Sequence, residues 1–355
     1  MAFRVIQWAT GGVGRAAIEG ILAHPELELV GCWVHSADKD GRDVGELLGR
    51  APLGVRATRD ADALLALQAD CVLYAPVVAS PAEVRRILES GKNVVTPLGW
   101  FYPFHSKSVA EMEAACRKGG VTLHGTGIHP GGITERFPLA ISSLSRAITH
   151  VRAEEWSDIR TYGAPAVIGD VMLFGKTPEE AKRSPMLRLL SGGFLQSIDM
   201  LVAALGFAAD EERRSFHEMA VATAPIDSPI GPIAVGRVAA QRFTWQATVR
   251  GNAVVTARVN WLMGDANLEP AWGFGPEGER FEVEITGDPS VKTVFHGLHP
   301  ESIASGLARN PGVVATAMQC VSAIPTVCRA EPGIRTYLDL PSYHGKAAEH
   351  LGAAR

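Results

Sequence analysis

The residues best arranged for chemistry in this chain lie near its start. Ala9-Thr10-Gly11-Gly12-Val13-Gly14 follows the strand-like run FRVIQWA (3–9) and opens the helical pattern of residues 13–25. The form is A-x-G-x-x-G, with Ala9 where a dinucleotide fingerprint has its first glycine. Gly11 would let the backbone approach a pyrophosphate, and Gly14 would let helix and strand pack closely. A helix start also offers unpaired N–H groups and the positive end of a dipole to phosphate. This placement predicts nucleotide binding in preference to a purely structural turn.

The next strand, ELELVGCWVHS (26–36), ends at His35-Ser36 without the carboxylate that grips a ribose 2′-hydroxyl. Ser36, Lys39 and Arg42 stand there instead. A hydroxyl and two cations suit a 2′-phosphate, so NADP(H) is the expected cofactor and NAD(H) the alternative. Either cation taken singly reads equally well as a solvated loop charge.

Later strand ends carry the other candidates. Ala75-Pro76 and Thr96-Pro97-Leu98-Gly99 are expected beside a nicotinamide. Trp100-Phe101-Tyr102-Pro103-Phe104 follows at once, either as the wall of an apolar pocket or as core packing. The stretch GTGIHPGGITER (125–136) predicts a tight loop, with Gly127 near the cofactor and His129 the best-placed titratable residue. Thr134 and Glu135 read as caps of the following helix. Tyr102 and His129 are the candidate proton donors. From the second half, Trp156, Asp170, Phe174, Asp199, Trp261 and Trp272 are candidates to face a cleft, although each residue type is more often core or surface. The expected pocket set is Leu98, Trp100, Phe101, Asp170, Phe174 and Asp199. No HExxH, P-loop, GxSxG or SxxK pattern is present, and no metal site is expected.

The elements that must hold these residues alternate through the first part of the chain. Near-continuous apolar strands and helical patterns, including 80–91 and 106–120, predict a doubly wound parallel sheet over 1–148. Beyond it, runs such as RFTWQATVRGN and AVVTARVNWLMG alternate apolar and polar residues. They predict a second α/β domain, 149–304, with an open and mainly antiparallel sheet and a hairpin turn at Gly251-Asn252. Residues 305–355 are expected to return to the first domain, with a loosely held tail beyond Pro341.

Composition narrows the partners. The chain has 355 residues, 34 Lys plus Arg, 38 Asp plus Glu and a net charge of −4, which argues against nucleic-acid binding. There is no signal-peptide pattern and no uninterrupted apolar run of ~18 residues, so no membrane partner is expected. Five cysteines without a CxxC spacing predict neither a disulfide framework nor a zinc ribbon. The expectation is a soluble, cytoplasmic protein with a small-molecule substrate.

Taken together, WATGGVG, VHS with the following Lys39 and GRD, ESGKNVVTP with Tyr102-Pro103, HGTGIHPGG and the closing AIPTVCRAEPGIRTYLDLP resemble a known group. It is the dihydrodipicolinate-reductase-like NAD(P)-dependent oxidoreductases, which include 2,4-diaminopentanoate dehydrogenase and the native amine dehydrogenases. The resemblance implies a Rossmann domain, an α/β substrate domain, a homodimer, and hydride transfer to an imine or carbonyl carbon. It also implies that the loop at Gly127, His129 and Pro130 borders the pocket. Where the reductases carry paired histidines and a lysine, this chain reads Glu154-Glu155-Trp156-Ser157-Asp158, so their reaction is not expected. Where amine dehydrogenases place a catalytic glutamate, the segment 96–103 has no carboxylate. The leading expectation is therefore hydride transfer to a small or medium, mostly apolar carbonyl compound. The alternatives are reductive amination, with Asp170, Asp199 or Glu155 supplying the carboxylate, and a dinucleotide-binding sensor without catalysis.

Overall fold

The computed structural model describes residues 2–106 and 108–351. They form two compact units, 1–131 with 313–355, and 132–312. The sequence boundaries expected at 148 and 304 both fall inside the second unit. The helix Phe137–Ser142 packs on strands of the second sheet, which draws the chain into that unit before the first strand there begins.

The first unit is built on strands β1 (Phe3–Trp8), β2 (Leu27–Trp33), β3 (Ala57–Thr58), β4 (Cys71–Tyr74), β5 (Asn93–Thr96), β6 (Thr122–Gly125) and, after the second unit, β14 (Gly333–Ile334). Their order is β14-β6-β5-β4-β1-β2-β3, and every pairing is parallel. This is the expected Rossmann-type sheet, extended by one short strand. Residues such as Val5, Cys71, Leu73 and Val95 are wholly buried, as they must be in a sheet covered on both faces. Helix α1 (Gly12–Ala23) buries Ala17, Ile18 and Ile21 on one face, and Ser80 caps the helix Pro81–Glu89 through its hydroxyl. The helix expected over 106–120 runs Val109–Gly119, and Lys107 lies outside the described residues.

The returning helix Pro311–Cys328 adds Cys320, Val321 and Ile324 to the core around β1 and β2. The tail corrects an expectation. Tyr343 is buried in the same core, and Lys346 pairs with Glu26 at 2.9 Å, so the segment from Pro341 to Lys346 is held by packing and charge.

The second unit contains β7 (Arg146–Asp158), β8 (Arg214–Ala222), β9 (Val238–Val249), β10 (Asn252–Leu262), β11 (Leu268–Glu269), β12 (Arg280–Asp288) and β13 (Val291–Phe295). They lie in the order β11-β8-β9-β10-β7-β12-β13, antiparallel except for β10 beside β7. The β9–β10 turn is Arg250-Gly251, one residue earlier than expected, and both have positive φ. Such a pair matches the twist of the flanking strands. One sheet face packs Phe243, Trp245, Val255 and Val259 against Phe194, Ile198 and Leu201 of the helix Met186–Leu205. The other face carries a charged network in which Arg152 meets Glu154, Glu282 and Glu284.

Two stretches, Met186–Leu205 and Ile303–Cys328, are long and apolar enough by composition to cross a membrane. The first spends its apolar face on the second sheet. The second is interrupted at Arg309-Asn310 and buries its longer part in the first unit.

Candidate functional site

Strand order in the first sheet reverses between β1 and β4, and ligands of such sheets bind outside the carboxyl ends of the strands at that point. The loops emerging there are those the sequence singled out. Ala9 turns the chain with φ +75, and its N–H bonds the Trp33 carbonyl at 2.9 Å. A Cβ on Gly14 would lie 2.1 Å from the Ala9 carbonyl oxygen, so only glycine fits there. A Cβ on Gly11 would meet nothing within 4 Å. Gly11 is the N-cap residue of α1, has no side chain to engage the free N–H groups, and is followed by a first turn without acidic residues. Those groups and the dipole end fit a dinucleotide pyrophosphate.

Beyond β2, Lys39 Nζ donates to Thr10 Oγ1 at 3.2 Å, which joins the cationic loop to the glycine loop. His35 and Arg42 are exposed and Ser36 is half-buried. The segment also contains carboxylates that turn inward. Asp40 accepts the Arg59 N–H at 2.9 Å. Asp43 accepts N–H groups from Leu53, Gly45 and Gly54, at 2.8, 2.7 and 2.8 Å, and these hold its carboxyl below the usual range. Lys39 and Arg42 are left as the cations on offer.

The loops after β5 and β6 meet in register, and the loop after β4 opens beside them in strand order. Thr126 N–H bonds the Thr96 carbonyl at 2.9 Å, and Thr96 Oγ1 accepts the Leu98 N–H at 3.2 Å. Ala75 is buried and Pro76 half-buried, whereas Val77 and Val78 beyond them are 88% and 69% exposed. Leu98 and Trp100 are half-buried against the apolar cluster under β4 and β5. Phe101 is fully buried, so it backs the loop and does not wall a pocket. Tyr102 is half-buried with its ring edge-on to Phe104 at 4.9 Å. Gly127 stands beside Pro97, and His129 is half-buried in a turn closed by pairing of Ile128 with Gly131. Sequence reasoning missed what anchors this loop. Thr126 Oγ1 lies 2.5 Å from Tyr337 Oη and 3.0 Å from Tyr343 Oη, both from the far end of the chain.

The second unit revises more. Thr134 and Glu135 do not cap a helix. They sit inside a π-helical turn, Gly132–Arg136, and both are buried. Glu135 accepts hydrogen bonds from Thr134 Oγ1, at 2.8 Å, and from Ser197 Oγ. Wide turns of this kind recur at functional sites. The only sequence signal was a carboxylate six positions after His129, and cap chemistry explained it too readily.

The other carboxylates differ. Asp170 is exposed, and Asp199 is paired with Arg213 at 2.8 Å. Phe174 is buried in the core beside the second sheet, which makes it packing and removes it from the pocket surface. Glu155 accepts from Ser157 Oγ at 2.6 Å and Trp261 Nε1 at 3.0 Å, and burial pushes its carboxyl up. Ser157 Oγ also lies 2.9 Å from His299 Nε2, and burial lowers that imidazole to about 4, so it is neutral near pH 7. Trp156 and Trp272 both lie over the Arg242 guanidinium, at 5.7 and 4.4 Å. Among the described residues no group of three or more His, Cys, Asp and Glu could hold a metal ion.

Comparison with known proteins fits this architecture. Residues 133–351 match the family described as the 2,4-diaminopentanoate dehydrogenase C-terminal domain. An amine dehydrogenase of Streptomyces virginiae is 32% identical over 354 residues, covering 95% of each chain. The chain belongs to this family of NAD(P)-dependent oxidoreductases. A second relative, the 2,4-diaminopentanoate dehydrogenase of Acetoanaerobium sticklandii, is 26% identical over 265 residues, covering 73% of this chain and 69% of that protein. The solved amine dehydrogenase of Mycobacterium smegmatis superposes with a TM-score of 0.76 over 98% of both chains at 23% identity, and so shares the fold.

Proposed function

We propose that the chain interconverts a small or medium, mostly apolar amine and the corresponding carbonyl compound, with NADP(H) preferred. The observation that carries this reading is Glu135, a buried carboxylate in the turn directly after the His129 loop. A carboxylate matches a protonated amine or iminium by charge and as a hydrogen-bond acceptor. The full-length relative named as an amine dehydrogenase supports the same chemistry.

In the deaminating direction, substrate ammonium, oxidised dinucleotide and water give carbonyl compound, ammonium, reduced dinucleotide and one proton. A dinucleotide held there would supply the acceptor for the hydride leaving the carbon that bears nitrogen. The chain's own residues do the rest. Gly11, Gly12 and the first turn of α1 bind the pyrophosphate. Thr96 fixes the loop after β5 by accepting the Leu98 N–H, at the strand end where a nicotinamide would be held. His129 and Tyr102 hold or release protons at the substrate nitrogen and oxygen. Five free cysteines fit a reducing cytoplasm, and the family resemblance implies a homodimer, which sedimentation would test.

A second reading, reduction of a carbonyl without nitrogen, is favoured by the segment 96–103, which contains no carboxylate. The deciding assay follows NADPH and NADH consumption against ketones and aldehydes, with and without ammonium. Turnover that requires ammonium supports the proposal. Equal turnover without it establishes carbonyl reduction. Tight dinucleotide binding with no turnover on any acceptor points to a sensor.

Cofactor preference has its own test. Lys39→Ala combined with Arg42→Ala should raise KM for NADPH about tenfold or more, the scale of a charge-assisted contact, and leave KM for NADH nearly unchanged. Equal changes for both cofactors would remove the 2′-phosphate assignment.

A further inference from the structure

The glycine loop departs from its fingerprint at one place, and the departure has a visible counterweight. Ala9 holds φ +75, a backbone region that glycine enters freely and in which an L-residue's Cβ crowds the following carbonyl. The side chain of Gln7, two residues earlier on β1, reaches back to this corner. Its Nε2 donates to the Ala9 carbonyl at 3.0 Å and to the Trp8 carbonyl at 3.2 Å. Gln7 is wholly buried, between strands where its neighbours in register are Cys32 and Leu73. Its Oε1 finds no donor in that position. A buried carboxamide with an unsatisfied oxygen is a poor choice for strand packing, where an apolar side chain would serve better. The two carbonyl contacts are what the amide contributes in exchange. Gly14 completes the arrangement. A Cβ there would come within 2.1 Å of the Ala9 oxygen and 3.1 Å of Gln7 Nε2, so its absence admits both groups to one small space.

We propose that Gln7 is a positioning residue for the dinucleotide site: its carboxamide holds the Ala9 corner in its left-handed conformation and so aims the pyrophosphate-binding loop, a role needed because Ala stands where the fingerprint has glycine. This rests on the dinucleotide-binding reading of the loop. It makes the contributions of residues 7 and 9 interdependent. With glycine at position 9 the corner forms without help, and the amide becomes dispensable.

The test is a double-mutant cycle of Gln7→Met and Ala9→Gly in the full chain, read by NADPH and NADH affinity, by kcat at saturating cofactor, and by urea unfolding without cofactor. Gln7→Met keeps the side-chain length and removes the donor. It should weaken dinucleotide binding about tenfold, the effect of roughly 1.4 kcal/mol, and leave kcat at saturation close to the parent value. Ala9→Gly should change binding little by itself and restore most of the affinity in the Gln7→Met background. Unchanged affinity in Gln7→Met, or equal effects of Ala9→Gly in both backgrounds, would overturn the proposal. A parent protein that binds neither dinucleotide would refute the binding reading instead. The unfolding arm of the cycle would then still report whether residues 7 and 9 are coupled.

Discussion

Gly14→Ala should abolish useful dinucleotide binding and lower stability together, whereas Gly11→Ala should impair binding alone. The contrast follows from what each added methyl meets. At position 14 the Cβ would stand 2.1 Å from the Ala9 carbonyl oxygen and 2.9 Å from its carbonyl carbon. Both are backbone atoms, so relief requires the turn or the first turn of α1 to move. Forced overpacking of this kind costs about 1–3 kcal/mol, and here the movement falls on the groups proposed to bind phosphate. At position 11 an added methyl would meet nothing within 4 Å beyond its own chain neighbours, and φ is an ordinary −69. Stability there should stay within about 0.5 kcal/mol of the parent. The methyl would nevertheless occupy the open side of the loop that a pyrophosphate needs. Denaturant unfolding and dinucleotide titration of both variants make the comparison. Full affinity in Gly11→Ala would show that the dinucleotide does not approach this face.

Glu135→Gln should reduce amine turnover about 10²-fold or more, the lower range for loss of a positioned acid–base or charge-stabilising group, with little change in unfolding temperature. Gln is isosteric, and the Thr134 and Ser197 hydroxyls can reorient to accept from its amide as well as donate to its oxygen. The substitution therefore removes charge and keeps packing. Reduction of ketones in the absence of ammonium, where no cationic nitrogen forms, should suffer far less. Ser197→Ala serves as the companion variant. It removes one donor to Glu135 and should cost turnover less than the loss of the carboxylate charge. Amine turnover within about threefold of the parent in Glu135→Gln would make Glu135 a structural carboxylate, and carbonyl reduction would become the better reading.

The two predictions differ in how visible their residues were. Gly14 is legible because the fingerprint is local: strand, turn and helix start are contiguous in sequence, and a close approach demands glycine wherever it occurs. Lys39 and Arg42 were legible as types but not as partners. Only the folded loop shows that Asp40 and Asp43 spend their charges on backbone N–H groups. In the sequence, Thr134-Glu135 before an apolar run fits cap chemistry. The π turn that buries Glu135 depends on Ser197, far along the chain. Phe101 and Phe174 illustrate the same limit from the apolar side. A bulky ring beside a loop looks alike in sequence whether it lines a pocket or fills a core, and burial is set by neighbours from distant segments.

By itself the sequence determined the parallel sheet of the first unit, the mainly antiparallel second sheet, the glycine loop at the first strand end, and the family resemblance. Those features rest on periodicity, turn chemistry and motifs that span a few residues each. The tertiary structure alone decided where the second unit begins, that Tyr337 and Tyr343 return to anchor Thr126, that Glu135 is buried, and that Gln7 supports Ala9. Each of these depends on which side chains fill the space around a given atom. Local propensity cannot fix that, because burial and hydrogen-bond pairing are settled by chain segments distant in sequence.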